Sequence, residues 1–137
     1  AYEIKSYTKQ SMYDWFKNTK SDFEQEDFYK IYIDYPREKL IKQINVRSKR
    51  MIKEGAILEV KNFIKLKIPR TKTAYKAIGV KEIKGYIDKD IQIHELIEKI
   101  SIKTRQYAKR QTTWARGNMT DWINISSNDL NKFLKKI

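Results

Sequence analysis

The sequence predicts a mainly α-helical chain with two short β-strands. Apolar residues recur at three- and four-residue spacing, most clearly around 37–54 and 93–116, which is the pattern of amphipathic helices. Only 28–33 (FYKIYI) and 122–125 (WINI) concentrate the aromatic and β-branched residues typical of strands. Because two short strands form a marginal sheet on their own, we expect them to join a sheet supplied by another part of the protein.

The N-terminal segment predicts two short helices followed by a loop. Ile4 and Tyr7 lie at helical spacing, and no helix-start signal precedes them. Ser11 and Asp14 match a capping box, in which each side chain accepts from a backbone N–H of the other residue, so a second helix is expected to start there. The polar, acidic stretch 20–27 indicates a loop before the first strand.

Proline and glycine mark the boundaries of the later helices. Pro36 suits the first turn of a helix, and Gly55 suits the left-handed conformation that ends one. Gly117 is expected to end the long helix, and Ser127 or Asn128 to cap a last helix that runs to the end of the chain. The other predicted helices are 37–54, 56–66 and 93–116, and 71–87 is expected to form a short helix or a pair of turns around Gly79.

Composition indicates an anionic partner and excludes several kinds of site. The chain has 30 Lys and Arg against 17 Asp and Glu, a net charge of +13. The partner could be nucleic acid or an anionic membrane surface, and abundant lysine can also reflect a whole proteome and no partner in particular. Without cysteine, disulfides and thiolate metal sites are impossible. The single histidine, His94, is expected on a helix surface.

Hydropathy predicts no membrane segment. No apolar run approaches the ~20 residues that a span requires. Residues 1–16 lack the apolar core of a signal peptide. We therefore expect a cytoplasmic protein.

The charge is segregated along the chain. Two runs contain basic residues and no acid, one between Glu59 and Glu82 and one between Glu98 and Asp121. The first holds Lys61, Lys65, Lys67, Arg70, Lys72, Lys76 and Lys81, and the second holds Lys99, Lys103, Arg105, Lys109, Arg110 and Arg116. This segregation favours a basic binding face, while two solvated helical faces remain the alternative.

The long helix is predicted to divide into a binding face and a core face. At about 100° per residue, the binding face carries Arg105, Lys109, Thr112 and Arg116. The core face carries Leu96, Ile100, Tyr107 and Trp114, with Arg110 lying toward it. Because guanidinium groups bind phosphate in a bidentate manner, the arginines indicate phosphate contacts.

Arg47 breaks the pattern of its helix. It lies on the same helical stripe as Leu40, Ile44 and Met51. A charge on a core-facing stripe is costly unless it is paired. Three explanations stay open: the side chain extends to solvent at the edge of the stripe, it pairs with a structural carboxylate, or it points into a cleft that holds an anionic ligand.

A long ordered motif, TRQYAKRQTTWAR at 104–116, closely resembles the C-terminal signature of the tRNA dimethylallyltransferases, also called tRNA isopentenyltransferases. Further blocks resemble the same family in the same order: AYEIKSYTKQSM at 1–12, LIKQINVRSKRMIKEGAILEV at 40–60 and YKAIGVKEIKGYI at 75–87. Two positions depart from the pattern, because Lys9 replaces a glycine and Val80 replaces an aromatic residue. The second departure weakens any expectation of base stacking at Val80.

The resemblance implies a reaction and its partners. Similar enzymes transfer the dimethylallyl group of dimethylallyl diphosphate to N6 of the adenosine that follows the anticodon on its 3′ side. They hold the tRNA anticodon stem-loop, extrude the target base and neutralise the diphosphate with cations and Mg²⁺. The implied intact fold is a P-loop-type α/β fold whose sheet the two strands extend, and we expect a monomer.

The resemblance also implies site residues. Arg47 matches the arginine of an N-x-R pattern near the reaction centre, and Gly79 would let the backbone approach RNA closely. Trp114 is expected in the core. RNA contacts are implied for Lys76, Ala77, Ile78, Gly79, Val80, Lys81, Arg105, Lys109, Arg110 and Arg116.

The family's phosphate-binding loop, G-x-x-x-x-G-K-[ST], and the catalytic aspartate that follows it do not occur in this sequence. We therefore expect a C-terminal portion of the enzyme that is inactive without the P-loop half and holds no Mg²⁺ ligands. Within it, 1–20 would end a helical insertion, 28–126 would belong to the core and 127–137 would form a tail helix. The alternative is a standalone basic RNA-binding module without catalysis.

Overall fold

The computed structural model describes residues 2–136, the side chain of Gln25 excepted, and confirms a mainly helical chain with two short strands. Within that range the helices are α1 (Tyr2–Thr8), α2 (Met12–Asn18), α3 (Arg37–Lys53), α4 (Ala56–Lys65), α5 (Val80–Ile87), α6 (Ile93–Asn118) and α7 (Leu130–Leu134). The strands are β1 (Ile31–Asp34) and β2 (Ile123–Ser126). Contacts divide the chain into residues 1–30 and 31–137. The predicted segments 1–20, 28–126 and 127–137 stay a prediction.

Local contacts organise residues 1–30. The Ser11 hydroxyl accepts from the Asp14 N–H at 3.1 Å and the Asp14 carboxylate accepts from the Ser11 N–H at 3.3 Å, which confirms the predicted capping box. Between α1 and α2, Lys9 has a φ of +61°. Glycine adopts such a φ without steric cost, so Lys9 makes a turn for which glycine is better suited.

β1 and β2 pair with each other in parallel, Ile31 opposite Ile123 and Ile33 opposite Ile125. Both strands were predicted, although β1 begins three residues later than the pattern indicated. The four isoleucines share one face, on which Ile125 is buried while Ile33 and Ile123 remain 44% and 45% exposed. The described residues thus cover this apolar face only in part, and its place in a larger sheet stays a prediction.

A small apolar core joins α3, α4, α5 and α6. Its buried members are Val60, Ile83, Leu96 and Ile100, and half-buried side chains such as Met51 pack against them. Gly55, with a φ of +109°, stands between α3 and α4 and confirms the predicted left-handed end of the first of these helices. The core therefore holds α3 and α6, the two helices that carry most of the candidate site, against α4 and α5.

The C-terminal half of α6 corrects the predicted core face. Tyr107 and Trp114 are 49% and 59% exposed, so the prediction that they face the core was wrong. The helix instead buries Ser101 and Ala115 and half-buries Ala108. Small side chains let a neighbouring helix approach closely, so this small-residue face, and not the aromatic one, meets the rest of the domain.

Two predicted helix boundaries shift by a residue or two. α6 continues through Gly117 to Asn118. α7 begins at Leu130 after Asp129, so neither Ser127 nor Asn128 caps it. The Ser127 N–H donates to the backbone oxygen of Asp34 at 3.0 Å. Ser127 is therefore still hydrogen-bonded to β1, and the helix begins after it.

Candidate substrate and nucleic-acid site

A cavity of about 530 Å³ opens between α3, the segment 76–78 and α6, and we call it the main cavity. Its lining residues are Ile44, Arg47, Ser48, Met51, Lys76, Ala77, Ile78, Ile100, Thr104, Tyr107 and Arg110. Among the aliphatic members, Ile100 belongs to the apolar core and Met51 packs against it, so part of the lining is apolar. The cations lie on separate elements that the core holds in place.

Three cations line the main cavity: Arg47 from α3, Lys76 from the 3₁₀ turn Thr73–Lys76, and Arg110 from α6. No Asp or Glu is among the lining residues. In the described part of the chain none of the three cations forms an ion pair. Like charges without a counter-charge repel one another, so an anion in the cavity would lower the electrostatic energy.

Arg47 is where the sequence left three explanations open. It lines the main cavity beside Ile44 and Met51, the two residues of its stripe that also line it. It is exposed, and no carboxylate of the described residues pairs with it. The geometry therefore favours a side chain at an open cleft over one paired with a structural carboxylate.

Arg110 lies differently from the prediction. It was expected toward the buried side of α6, but it is exposed and lines the main cavity. Its guanidinium carbon lies 5.8 Å from the centre of the Tyr107 ring, within the range of a cation–π contact. Tyr107 therefore contacts a cation of the main cavity, although hydropathy placed Tyr107 in the core.

The segment from Lys76 to Lys81 is only partly brought to the main cavity. Lys76, Ala77 and Ile78 line it. Gly79 is buried and Val80 half-buried, and Lys81 is exposed on α5. Gly79 has a φ of +106°, which side chains with a Cβ rarely adopt, so the turn favours glycine, while an added Cβ would lie at an ordinary contact distance of 3.5 Å from Met51 Cε.

Glu82 is a buried acid that sequence reasoning missed. Its carboxylate pairs with Lys103 of α6 and accepts from the Gly79 N–H at 2.9 Å. Burial alone would raise the pKa of Glu82, but the hydrogen bonds from Lys103 and from backbone N–H groups, with the charge of Lys103, hold the pKa below its ordinary value. The glycine-x-x-glutamate spacing of a capping box was the available signal.

The residues of the predicted binding face of α6 lie in different environments. Arg105 is half-buried, and its Nη1 donates to Asn45 Oδ1 of α3 at 3.3 Å. Lys109 is exposed. Arg116 and Thr112 line a second cavity of about 220 Å³ that includes Tyr32 of β1. Among the predicted cations of α6, only Arg110 reaches the main cavity.

The described residues contain neither a metal-ion cluster nor a membrane-spanning helix. No group of three or more His, Cys, Asp or Glu side chains is arranged to hold a metal ion there. Among the helices of that same part of the chain, none has the length and apolar character needed to cross a membrane.

The fold and the main cavity define a helical protein with a cleft whose lining combines aliphatic side chains with three cations. The chain belongs to the IPP transferase family, whose family model matches residues 1–118. This agrees with the resemblance carried by the motifs at 1–12, 40–60, 75–87 and 104–116.

The chain is similar to curated proteins that are tRNA dimethylallyltransferases. The chain is 53% identical over 137 residues to a tRNA dimethylallyltransferase of Pelagibacter ubique, covering all of this chain and 44% of the relative. It is 32% identical over 138 residues to a tRNA dimethylallyltransferase of Rickettsia massiliae, covering all of this chain and 38% of the relative. The chain therefore spans less than half the length of these relatives.

Solved structures give the same fold. The tRNA isopentenylpyrophosphate transferase of Bacillus halodurans matches with a TM-score of 0.65 and 31% identity, over 83% of this chain and 36% of that one. The tRNA delta(2)-isopentenylpyrophosphate transferase of Staphylococcus epidermidis matches with a TM-score of 0.68 and 27% identity, over 99% and 46%.

Proposed function

We propose that this chain is the tRNA-binding portion of a tRNA dimethylallyltransferase, which transfers dimethylallyl from dimethylallyl diphosphate to N6 of the adenosine 3′-adjacent to the anticodon. The names of its relatives support the reaction class. The observation that carries the proposal is the main cavity, where Arg47, Lys76 and Arg110 stand beside aliphatic side chains with no acid among the lining residues. A prenyl diphosphate combines the same two properties, an apolar chain and a polyanionic head.

The proposed reaction makes one bond and breaks another. Adenine N6 bonds to C1 of the dimethylallyl group, the bond from C1 to the diphosphate oxygen breaks, and N6 loses a proton. The proton acceptor is the aspartate of the P-loop half that the resemblance implies. Negative charge grows on the leaving diphosphate, and cations already positioned for that charge accelerate such a step.

Arg47 is the residue of this chain that we assign to the leaving group. It lines the main cavity, it carries no ion pair in the described residues, and it matches the N-x-R arginine. A guanidinium can donate two parallel hydrogen bonds to a phosphate group, which an ammonium cannot. Arg110 and Lys76 would add charge from the opposite elements of the cavity.

The RNA contacts are proposed along two segments. Lys76 to Lys81, with Ala77, Ile78, Gly79 and Val80 between them, would form one of them at the cavity mouth. On α6, Lys109, Arg110 and Arg116 would contact phosphates. Arg105 donates to Asn45 from a half-buried position, which favours a structural role over the phosphate contact predicted for it.

Mg²⁺ is implied by the resemblance, and the described residues contain no group of three or more His, Cys, Asp or Glu arranged to hold a metal ion. We assign the charge neutralisation that this part of the chain contributes to its arginines and lysines. The proposal further includes a cytoplasmic, monomeric enzyme whose P-loop half is needed for activity.

Binding of two RNA hairpins across a salt series tests the RNA-binding part of this proposal. One labelled hairpin is an anticodon stem-loop with the adenine run that ends at the target base, and the other has the same length and a scrambled loop. We expect the 137-residue chain to bind the first hairpin more tightly, and the difference to persist as salt rises. Equal binding that fades equally with salt would support a nonspecific RNA-binding module instead.

A further inference from the structure

A second basic surface lies outside the main cavity, and we call residues 65–72 the basic loop. Its cations are Lys65, Lys67, Arg70 and Lys72, and all four are exposed. The segment from Lys61 to Lys81 contains no acid. In the described residues none of the four cations forms an ion pair, and Glu82, the next acid along the chain, is committed to Lys103.

The basic loop is held in shape at both ends. The rings of Phe63 on α4 and Tyr75 in the 3₁₀ turn lie 4.9 Å apart between centroids, so the residues that flank the loop are in contact. Within the loop, the N–H of Lys67 donates to the Ile64 oxygen at 3.2 Å and the N–H of Lys72 donates to the Pro69 oxygen at 3.0 Å. Successive turns and an aromatic contact thus present the cations on a preformed loop.

The basic loop is also close in sequence to a residue that lines the main cavity. Tyr75 is followed directly by Lys76, which lines the cavity. The same ring contact therefore positions both the basic loop and a cavity residue. An RNA that contacts Lys76 at the mouth of the cavity would bring its backbone toward the neighbouring cations.

We propose that the basic loop binds the phosphate backbone of the RNA stem, which extends the RNA footprint beyond the contacts proposed for Lys76 to Lys81 at the mouth of the main cavity. This proposal rests on the proposed function for the identity of the RNA. The occupant is a phosphodiester backbone, because the surface offers four exposed cations and no acid. Contacts of this kind position an RNA and carry no sequence information.

The test compares two triple variants of the 137-residue chain. Lys65→Gln, Arg70→Gln and Lys72→Gln remove three charges from the basic loop, and Lys132→Gln, Lys135→Gln and Lys136→Gln remove three from exposed positions in the tail. Circular dichroism checks that both variants fold. Affinity is measured against the target-loop and scrambled-loop hairpins across a salt series.

We expect the loop variant to bind both hairpins more weakly by the same factor. The slope of log K against log salt is negative, and its magnitude should decrease by about 2 to 3, since each lost duplex phosphate contact changes it by about 0.9. Unchanged affinity and slope relative to the tail variant would overturn the proposal. Failure of the proposed function is a separate outcome, in which the unaltered chain does not distinguish the two hairpins.

A second pair of variants tests the role of the ring contact. Tyr75→Ala removes the ring and leaves every charge in place, while Tyr75→Phe keeps the ring. We expect Tyr75→Ala to lower the salt slope and Tyr75→Phe to leave it unchanged. A slope for Tyr75→Ala equal to that of the unaltered chain would contradict a preformed phosphate-binding loop.

Discussion

The side chain of Arg105 on α6 donates from Nη1 to Asn45 Oδ1 on α3 at 3.3 Å. This hydrogen bond joins two motifs that lie 60 residues apart, the TRQ of one and the N-x-R of the other. Asn45 is two residues before Arg47, which lines the main cavity. The contact therefore fixes the helix that presents Arg47, and Arg105 is a positioning residue in this account.

Arg105→Gln should lower the free energy of unfolding and leave the salt dependence of RNA binding unchanged. We expect about 1 to 3 kcal/mol of destabilisation, because a hydrogen bond from a charged donor in a half-buried site is lost. Asn45→Ala should cost less when Arg105 is already replaced, which a double-mutant cycle by urea unfolding would measure. Lys109→Gln, on the exposed surface of the same helix, is the control and should leave stability unchanged. If Arg105→Gln instead reduces the magnitude of the slope of log K against log salt by about 0.9, Arg105 contacts a phosphate.

Glu82 should make stability depend on pH. Its pKa is lowered in the folded state, so its contribution is fully present above the ordinary value of 4.5 and is lost as the pH falls through the folded-state pKa. Glu82→Gln should cost about 1 to 3 kcal/mol near neutral pH, and the difference from the unaltered chain should shrink in acid. Thermal unfolding at a series of pH values measures both effects. Glu98→Gln, at an exposed position of α6, should leave the pH profile as it was.

Gly79→Ala should destabilise the chain because φ is +106°, a backbone conformation that residues with a Cβ rarely adopt. A strained backbone of this kind costs about 1 to 3 kcal/mol. Gly117→Ala is the matched control, since nothing lies within 4 Å of an added carbon there and the residue is helical. That control should be neutral or stabilising by up to about 1 kcal/mol. Equal effects of the two substitutions on the free energy of unfolding would contradict the role assigned to Gly79.

Local signals in the sequence predicted much of the fold. The Ser11 capping box, the glycine at the end of α3 and both strands follow from residues close together in the chain. The parallel pairing of Ile31 with Ile123 joins residues far apart, and no local pattern specifies it. Boundaries such as the start of α7 depended on a hydrogen bond from Ser127 to Asp34, which is also non-local.

Part of the candidate site could be predicted from a charged residue on an apolar stripe, whereas hydropathy placed two aromatic residues of α6 incorrectly. Arg47 attracted attention as a charge on an apolar stripe, and it lines the main cavity. Tyr107 and Trp114 were assigned to the core because they are large and apolar, yet the C-terminal half of α6 is buried at a small residue, Ala115, while both aromatic side chains are exposed. Which face of a helix is buried depends on the shape of its neighbour, and a single helical pattern does not contain that information.

The most direct test of the central claim is the rate of prenyl transfer to an anticodon stem-loop in the full-length enzyme of the proposal, under single-turnover conditions. Arg47→Ala is compared with Arg50→Ala, which removes an exposed arginine of the same helix that pairs with Glu54 at 3.7 Å. We predict a loss of about 100-fold or more for Arg47→Ala with little change in RNA affinity, because the lost cation acts on the leaving diphosphate. Arg50→Ala should react at the normal rate. If Arg47→Ala also reacts at the normal rate, the role assigned to Arg47 and to the main cavity is wrong.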